Sequence, residues 1–355
     1  MRIFQLIDVL DYGDGVSNDI IHIHELLDEL GVENYIYSKH CNENVINYKN
    51  DIGSLSASPD DVIIYHFSGK SFIMDFVKTL QCKKILRYHN VTPPDFFKDI
   101  NKNIYEACMA GLTQLKENLY YFDYFLADSE FNKTDLISYG VKEEKISVYP
   151  IAMNLERLKK EAFTKEIKDN LMGQVSFLFV GRIAPNKKIE DIIDVFEEYY
   201  KTFDSTAKLF LVGNNKQSLD YFNSLENKIT SLISKNNIIF TGKIADEDVY
   251  TFYKFSSAFI CMSEHEGFCI PILEAQYFGL PVIAYNSSAV PFTMGEAGIL
   301  LYKKDSKLAA KLLYEIVENK PLKNSIIDAQ YSNIAQYLDS NMKDKLSTLV
   351  VEWRK

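Results

Sequence analysis

The sequence is poor in the features that mark specialised classes of protein. Its 355 residues include five cysteines, Cys41, Cys82, Cys108, Cys261 and Cys269, odd in number, scattered and without CxxC spacing. That pattern argues against a disulfide framework, and the thiols read as small buried hydrophobes in a reducing compartment. No low-complexity tract or short repeat is present. A cationic surplus is missing as well: 39 Lys and Arg stand against 49 Asp and Glu, for a net charge of −10. Divided after residue 165, the two halves carry about −7 and −3. Neither half can displace counterions from phosphates as a nucleic-acid binder does, so no nucleic-acid partner is expected. A membrane span needs roughly 20 predominantly apolar residues. The long uncharged stretch from Ala275 to Gly295 is broken by Pro281, Pro291 and Asn286-Ser287-Ser288. The opening run from Arg2 to Ile7 soon meets Asp8 and Asp11, too short and acidic for a signal peptide. These absences predict a cytoplasmic protein, with weak peripheral association at the inner face of a membrane left open.

What the sequence does have is rhythm. Short apolar runs alternate with helical patterns from end to end. Strands are expected near 2–10, 34–38, 61–66, 83–88, 123–127 and 145–149, and again near 175–181, 207–212, 236–241, 257–262 and 281–284. Helical patterns fall between them, near 18–30, 71–80, 103–120 and 131–138, then near 188–203, 217–233, 246–255, 271–278 and 305–317. Continuous apolar strands such as Phe177-Leu178-Phe179-Val180 mean parallel sheets covered on both faces. Two such series predict an α/β chain of two doubly wound domains. The expected boundary lies in the charged, strand-free stretch from Glu156 to about Met172, and a long helical pattern near 323–353 follows the second series. Ligands of open α/β sheets bind beyond the carboxyl ends of the strands, so chemistry is sought in the loops that follow strands, with a cleft between the domains as the natural site.

Four such loops stand out. Asp11 to Asp19 holds Gly13 and Gly15, which permit close backbone approach to a ligand, and Ser17 or Asn18 as a helix cap. The segment is not GxGxxG, so the dinucleotide fingerprint is unmet. His66 and His89 end apolar strands, where an imidazole can donate to a sugar hydroxyl or be satisfied by backbone groups. Val180-Gly181-Arg182 with Lys187 collects cations ahead of a helix start, a place that ordinarily prefers anions. That suits a negative ligand such as a diphosphate, with Lys188 as the more solvent-facing neighbour. The strongest segment is Glu264-His265-Glu266-Gly267-Phe268-Cys269-Ile270-Pro271-Ile272-Leu273-Glu274-Ala275. Pro271 suits the first helical position, which puts Glu274 in the first turn, either as an ordinary acidic residue there or as a sugar-binding carboxylate. Two carboxylates eight positions apart can serve two sugar rings while phosphate lies on the cations. No convincing metal clamp is found. Asp246-Glu247-Asp248 reads as first-turn acids of a helix, and His22-x-His24 points its side chains apart.

These residues resemble the retaining glycosyltransferases of family 4, with the GT-B fold. Glu266-x7-Glu274 is similar to that family's two-glutamate motif, and Val180-Gly181-Arg182 with Lys187 to its phosphate-binding segment. Ala127-Asp128-Ser129-Glu130-Phe131-Asn132 and Tyr149-Pro150-Ile151 resemble the end of its N-terminal domain. The Gly13-Asp14-Gly15 loop and Tyr65-His66-Phe67-Ser68 are similar to a bacterial subgroup active on surface polysaccharides. The resemblance implies two Rossmann-like domains, an acceptor domain over 1–165 and a nucleotide-sugar donor domain over 166–335. A helix over 336–355 would cross back to the first domain. It implies that Arg182 and Lys187 neutralise the departing diphosphate, that Glu274 binds the ribose and Glu266 the transferred sugar, and that His89 positions that sugar. Backbone groups of Gly267, Phe268 and Cys269, with Gly13 and Gly15, would hold the donor, and His66 and Asn18 the acceptor. Lys188 stands where many relatives have glycine.

The expected reaction is metal-independent, retaining transfer of a hexosyl residue from GDP-mannose or a UDP-hexose, with no other cofactor. The expected acceptor is a saccharide or lipid-linked saccharide in bacterial surface glycan synthesis. Two other readings keep the fold: a nucleotide-sugar epimerase or phosphorylase, and a non-catalytic nucleotide- or glycan-binding partner in a synthase complex. In the Asp95-Phe96-Phe97-Lys98 loop the aromatics are open to two uses, domain packing or an acceptor wall.

Overall fold

The computed structural model describes residues 1–11, 13–155, 158 and 163–354. Glu156, Arg157 and residues 159–162, the start of the stretch expected to divide the domains, lie outside the described residues. The chain forms two compact units, Met1–Pro94 with Asn103–Asn154 and Gln336–Lys355, and Leu155–Ala335 with Asp95–Lys102.

The first unit is built on a seven-stranded parallel sheet: β1 (Ile3–Leu10), β2 (Asn34–Cys41), β3 (Lys49–Asp51), β4 (Val62–Phe67), β5 (Lys83–Tyr88), β6 (Tyr124–Ala127) and β7 (Ile146–Val148), in the order β3-β2-β1-β4-β5-β6-β7. Successive side chains of a strand point to opposite faces, and here both faces are apolar. Phe4, Ile63, Tyr65 and Leu86 pack on one side, Ile3, Val62, Ile64 and Ile85 on the other. The second unit repeats the plan in six strands, β8 (Ser176–Val180), β9 (Lys208–Val212), β10 (Ile238–Gly242), β11 (Ala258–Cys261), β12 (Val282–Tyr285) and β13 (Ile299–Leu301), in the order β10-β9-β8-β11-β12-β13. Its helix Ile189–Thr202 lays Ile189, Ile192, Ile193, Phe196 and Tyr199 against Phe177, Phe179, Leu209 and Leu211. That i, i+3, i+4, i+7 spacing gives one apolar stripe facing the sheet.

Several sequence expectations are refined. The helical pattern near 323–353 is three pieces, a helix Lys320–Ile334, a tight turn Ala335–Tyr337 and a helix Asp339–Trp353. The break falls where the chain passes from the second unit to the first. Met342, Leu346, Leu349, Val350 and Trp353 of the last helix complete the first unit's core, beside Ile23, Leu26 and Leu27. Strands β3 and β13, each three residues, and the helices Lys165–Leu171 and Val290–Met294 were not among the expected elements. Residues 95–102 belong to the second unit: Phe97 is buried, Ile100 packs on that unit's core, and the Phe96 ring lies 6.3 Å from that of His265. Phe97 is thus used in packing, while Phe96 is half-buried beside His265.

Met342→Ala leaves a cavity in a fully buried position, with an expected loss of about 2–5 kcal/mol. Trp353, the chain's one tryptophan and itself buried, reports that loss as an earlier urea midpoint in its fluorescence.

Candidate functional site

In each sheet the strand order reverses beside the first strand, between β1 and β4 and between β8 and β11. Connections leave in opposite directions there, so loops separate and ligands bind at that point. The cation loop and the two-glutamate loop follow β8 and β11, which is why segments some 80 positions apart meet.

Backbone closeness at the second sheet's edge depends on glycine. Gly181 and Gly213 follow β8 and β9 with φ of 152° and 148°, and a Cβ on Gly213 would lie 1.8 Å from the Gly181 carbonyl oxygen. The amides of Gly181 and Ile183 donate to Val212 and Asn214 at 2.9 and 3.0 Å, knitting the loops into a shelf. Sequence reading found Gly181 but missed Gly213, although a glycine directly after an apolar strand was the available signal.

From this shelf the chain makes a tight turn, Pro185–Lys187, then enters the helix through Lys188 in a left-handed conformation (φ 52°, ψ 51°). Glycine suits that backbone best. Lys188 is held by Glu190 at 3.6 Å and Glu264 at 3.5 Å, so it is tied to the site rather than simply solvent-facing. Asn186 stitches the two loops: its Nδ2 donates to the His265 carbonyl at 3.0 Å, and its own carbonyl accepts from Glu264 N at 2.9 Å. Lys187 Nζ then donates to both carboxylate oxygens of Glu266 at 2.6 Å, and Ser263 Oγ donates to Oε1 at 2.8 Å. Burial alone would raise the Glu266 pKa, but the Lys187 ammonium and the Ser263 hydroxyl hold it below the usual carboxylate range. Arg182 is exposed, and among the described residues it forms no ion pair.

The helix Ile270–Tyr277 starts at Cys269, whose φ is 77° and whose side chain does not cap it. Glu274 is the fifth residue of this helix, so it lies beyond the first turn and the first-turn reading is corrected. Its Oε2 accepts from the Tyr253 hydroxyl at 2.7 Å, and burial, reinforced by Asp246, pushes its pKa up to about 7. Asp246, Glu247 and Asp248 occupy the first turn of their own helix. Gly267 is half-buried, while the side chains of Phe268 and Cys269 are buried, leaving backbone as what these three can offer a ligand. Cys269 Sγ lies 4.0 Å from Cys261 Sγ, a pairing that scattered sequence positions did not reveal.

In the first unit Gly13 is exposed with φ 75°, and Gly15 opens the helix Gly15–Glu29. The cap is Asp14, which accepts from Ser17 N at 3.3 Å, in place of Ser17 or Asn18. Asn18 is exposed on that helix. A cavity of about 300 Å³ is lined by Asp8, Asp11, Asp14, His66, Ser68 and Lys70 among others. The His66 and His89 side chains lie inside a polar network. The His89 ring nitrogens face Asp128 and His66, each at 2.9 Å. Arg87 donates to Asp19 at 2.6 and 2.8 Å and to the carbonyls of Tyr149 and Pro150 at 2.9 and 3.1 Å. His89 therefore presents no unengaged ring nitrogen to a ligand. Gln5 and Arg87, both buried, were not singled out from sequence, and the buried Asp19 and Asp128 entered only as members of longer motifs. A polar residue inside an apolar strand, as Gln5 and Arg87 are, was the signal.

Two groups bring metal-binding types of side chain within 4.8 Å among the described residues: Asp19, His66 and His89, and Cys261, Glu266 and Cys269. In each the carboxylate is already bound by a cation, Arg87 or Lys187. No helix among the described residues is long and apolar enough to cross a membrane.

Two parallel, doubly wound units in this strand order, with a final helix on the first, are the fold of GT-B glycosyltransferases. An Anabaena protein, HepE, crystallised with UDP-glucose, superposes with a TM-score of 0.75 at 16% identity, over 99% of this chain and 100% of its own. Residues 160–333 match the family described as Glycosyl transferases group 1. Among curated relatives, alpha-monoglucosyldiacylglycerol synthase of Streptococcus pneumoniae is 30% identical over 172 residues, 46% of this chain and 38% of that protein. O-antigen chain mannosyltransferase B of Escherichia coli is 25% identical over 210 residues, 58% of this chain and 54% of its own. The chain thus spans about two-fifths to just over half the length of these two relatives.

Lys187→Met strips Glu266 of its cation. We expect a loss of about 3 kcal/mol at pH 7.5. Burial then dominates and lifts the Glu266 pKa, so protonation relieves the buried charge as pH falls. The penalty in urea denaturation should accordingly shrink between pH 7.5 and pH 5, whereas a pH-independent loss would contradict the assignment.

Proposed function

We propose that this protein is a retaining, metal-independent glycosyltransferase of family 4. In this reading it moves a hexosyl residue from a nucleotide-diphosphate sugar to a saccharide or lipid-linked saccharide acceptor, at the cytoplasmic face of a bacterial membrane. The observation that carries the reading is the convergence, at the reversal of the second sheet, of the exposed Arg182, the Lys187–Glu266 pair and Glu274 one helical turn further on. Cleavage of the donor's glycosidic bond builds negative charge on the diphosphate, and fixed cations aimed there lower the barrier most. Arg182 and Lys187 are those cations. They take the part that a metal plays in other nucleotide-sugar enzymes. Lys187 is held in place by Glu266 before substrate arrives, so it needs little reorganisation. Glu266 accepts hydroxyls of the transferred sugar and Glu274 those of the ribose. Backbone amides of Gly267, Phe268 and Cys269, at the start of a helix without a side-chain cap, hold donor oxygens.

The leaving phosphate then helps deprotonate the acceptor hydroxyl on the same face of the sugar, which retains configuration. His89 serves as a positioning residue, because its ring nitrogens are engaged within the first unit. Gly13, Gly15 and Asn18 keep the roles that the family resemblance gives them, whereas His66, its ring nitrogens engaged by Gln5 and His89, offers none to the acceptor. UDP-glucose bound by the Anabaena structure supports a UDP-hexose donor, and the mannosyltransferase relative keeps GDP-mannose as the other candidate.

The test is a melting shift with UDP, GDP, ADP and TDP on wild type and on Arg182→Ala. A ligand at 100 times its dissociation constant adds about 2.7 kcal/mol. One nucleotide should raise the midpoint and the variant should lose that response; no response to any of the four counts against the donor site. Sugar release and transfer assays with the responding nucleotide's hexose donors follow. Glu274 supplies a second check. An acid that titrates near 7 is mostly neutral at pH 6, so affinity for the intact nucleotide sugar should rise about tenfold from pH 6 to pH 8. Glu274→Gln should bind weakly with a flat profile.

A further inference from the structure

The polar network at the carboxyl edge of the first sheet constrains its own protons. Gln5 Nε2 faces the carbonyl oxygen of Ile20 at 3.1 Å, and a carbonyl only accepts. The amide is thereby oriented, and Gln5 Oε1 is what His66 Nε2 meets at 3.1 Å. That oxygen also only accepts, so His66 Nε2 carries a hydrogen. At the other end His89 Nδ1 lies 2.9 Å from Asp128 Oδ2. The other oxygen of Asp128 is 3.4 Å from Arg87 Nη2, so a carboxylate facing a guanidinium is the acceptor and His89 Nδ1 carries a hydrogen as well. The remaining nitrogens, His66 Nδ1 and His89 Nε2, face each other at 2.9 Å with their rings nearly parallel, 14° apart. Two neutral imidazoles would present two lone pairs to each other there.

We propose that the buried His66–His89 pair holds one additional proton, resident on His89 and donated from its Nε2 to His66 Nδ1, and that His66 is thereby the positioning residue for His89. Charge balance supports it. Both histidine side chains and those of Asp19, Arg87 and Asp128 are at most 1% exposed. Arg87 and the imidazolium bring two positive charges, Asp19 and Asp128 two negative ones, and the cluster is neutral only with the proton in place. Asp19 Oδ2 lies 3.9 Å from His89 Nε2 and 4.0 Å from His66 Nδ1, flanking the shared proton evenly while Arg87 and the Ala152 amide hold it. Burial, then the charges of His89 and Arg87, keep the His66 pKa well below the ordinary range, which makes His66 the acceptor. The other charged groups near His66 line the adjoining cavity: Asp8, Asp11, Asp14 and Lys70. The proton ties the carboxyl end of β4 to that of β5. It makes His89 a fixed cation with no lone pair to act as a base. The inference holds whether or not the chain transfers sugars.

The test uses the full chain, labelled with nitrogen-15, and long-range proton–nitrogen correlation of its six imidazoles at neutral pH. His66→Gln and His89→Gln assign the two rings. One ring, His89, should show both nitrogens protonated, the other only Nε2. A nitrogen–nitrogen coupling across the hydrogen bond should join His66 Nδ1 to His89 Nε2 and vanish in one step as the pH is raised. In His66→Gln the amide oxygen can accept from His89 Nε2, so His89 should keep both N–H groups while the nitrogen–nitrogen coupling disappears. His66→Phe, which offers no polar partner, should melt well below His66→Gln. Two singly protonated rings without coupling would overturn the proposal. So would one divalent ion per chain, measured by elemental analysis, whose removal by a chelator changes the pattern.

Discussion

A parallel sheet whose strand order reverses beside its first strand leaves a gap at its carboxyl edge, and this constraint organises both halves of the protein. Each apolar strand is buried on two faces, so polar side chains have little room along its length. They collect instead at the strand ends, where the loops part. In the second unit the gap between β8 and β11 gathers the cations and carboxylates. In the first unit the corresponding gap between β1 and β4 adjoins the cavity beside His66.

The two edges handle charge differently. At the second sheet the pairing is incomplete: Lys187 is matched by Glu266, Arg182 is exposed, and Glu274 is a carboxyl half-way to neutrality with a tyrosine hydroxyl for company. Such unevenness suits a ligand that brings its own charge and hydroxyls, since each unmatched group gains a partner on binding. At the first sheet the groups are matched to one another and sealed from water. Buried ionic networks of that sort contribute geometry more than net stability, because desolvation consumes much of the attraction. Arg87 shows this plainly: its guanidinium holds Asp19 and reaches the Tyr149 and Pro150 carbonyls just after β7, so three separate stretches of chain depend on one side chain.

The final helix Asp339–Trp353 has a purely apolar role. The first unit's sheet exposes Ile3, Ile64, Ile85 and Leu126 on a face that the helix Gly15–Glu29 covers only in part. Residues from the far end of the sequence fill the remainder. Each fully buried side chain of this kind contributes roughly 1.5–3 kcal/mol, so a helix far from either reversal is as necessary to the first unit as any strand.

The alternation of apolar runs and amphipathic patterns was sufficient to read eleven of the strands, the doubly wound character of both halves and the loops worth inspecting, because periodicity and strand burial are local properties. Glu266-x7-Glu274 and Gly181-Arg182 with Lys187 were legible for the same reason: each sits within a single strand–loop–helix unit. Strands β3 and β13 were not: β3, Lys49-Asn50-Asp51, has no apolar side chain, and β13 buries only Leu301. Nor was the break at Ala335–Tyr337, where one continuous helical pattern is divided between two cores. The pairing of Lys187 with Glu266, the approach of Gly213 to Gly181, and the burial of His66 with His89, Asp19 and Arg87 were decided by tertiary structure alone. Each joins residues from different strands, and which strands become neighbours depends on how the whole sheet orders itself to bury both its faces.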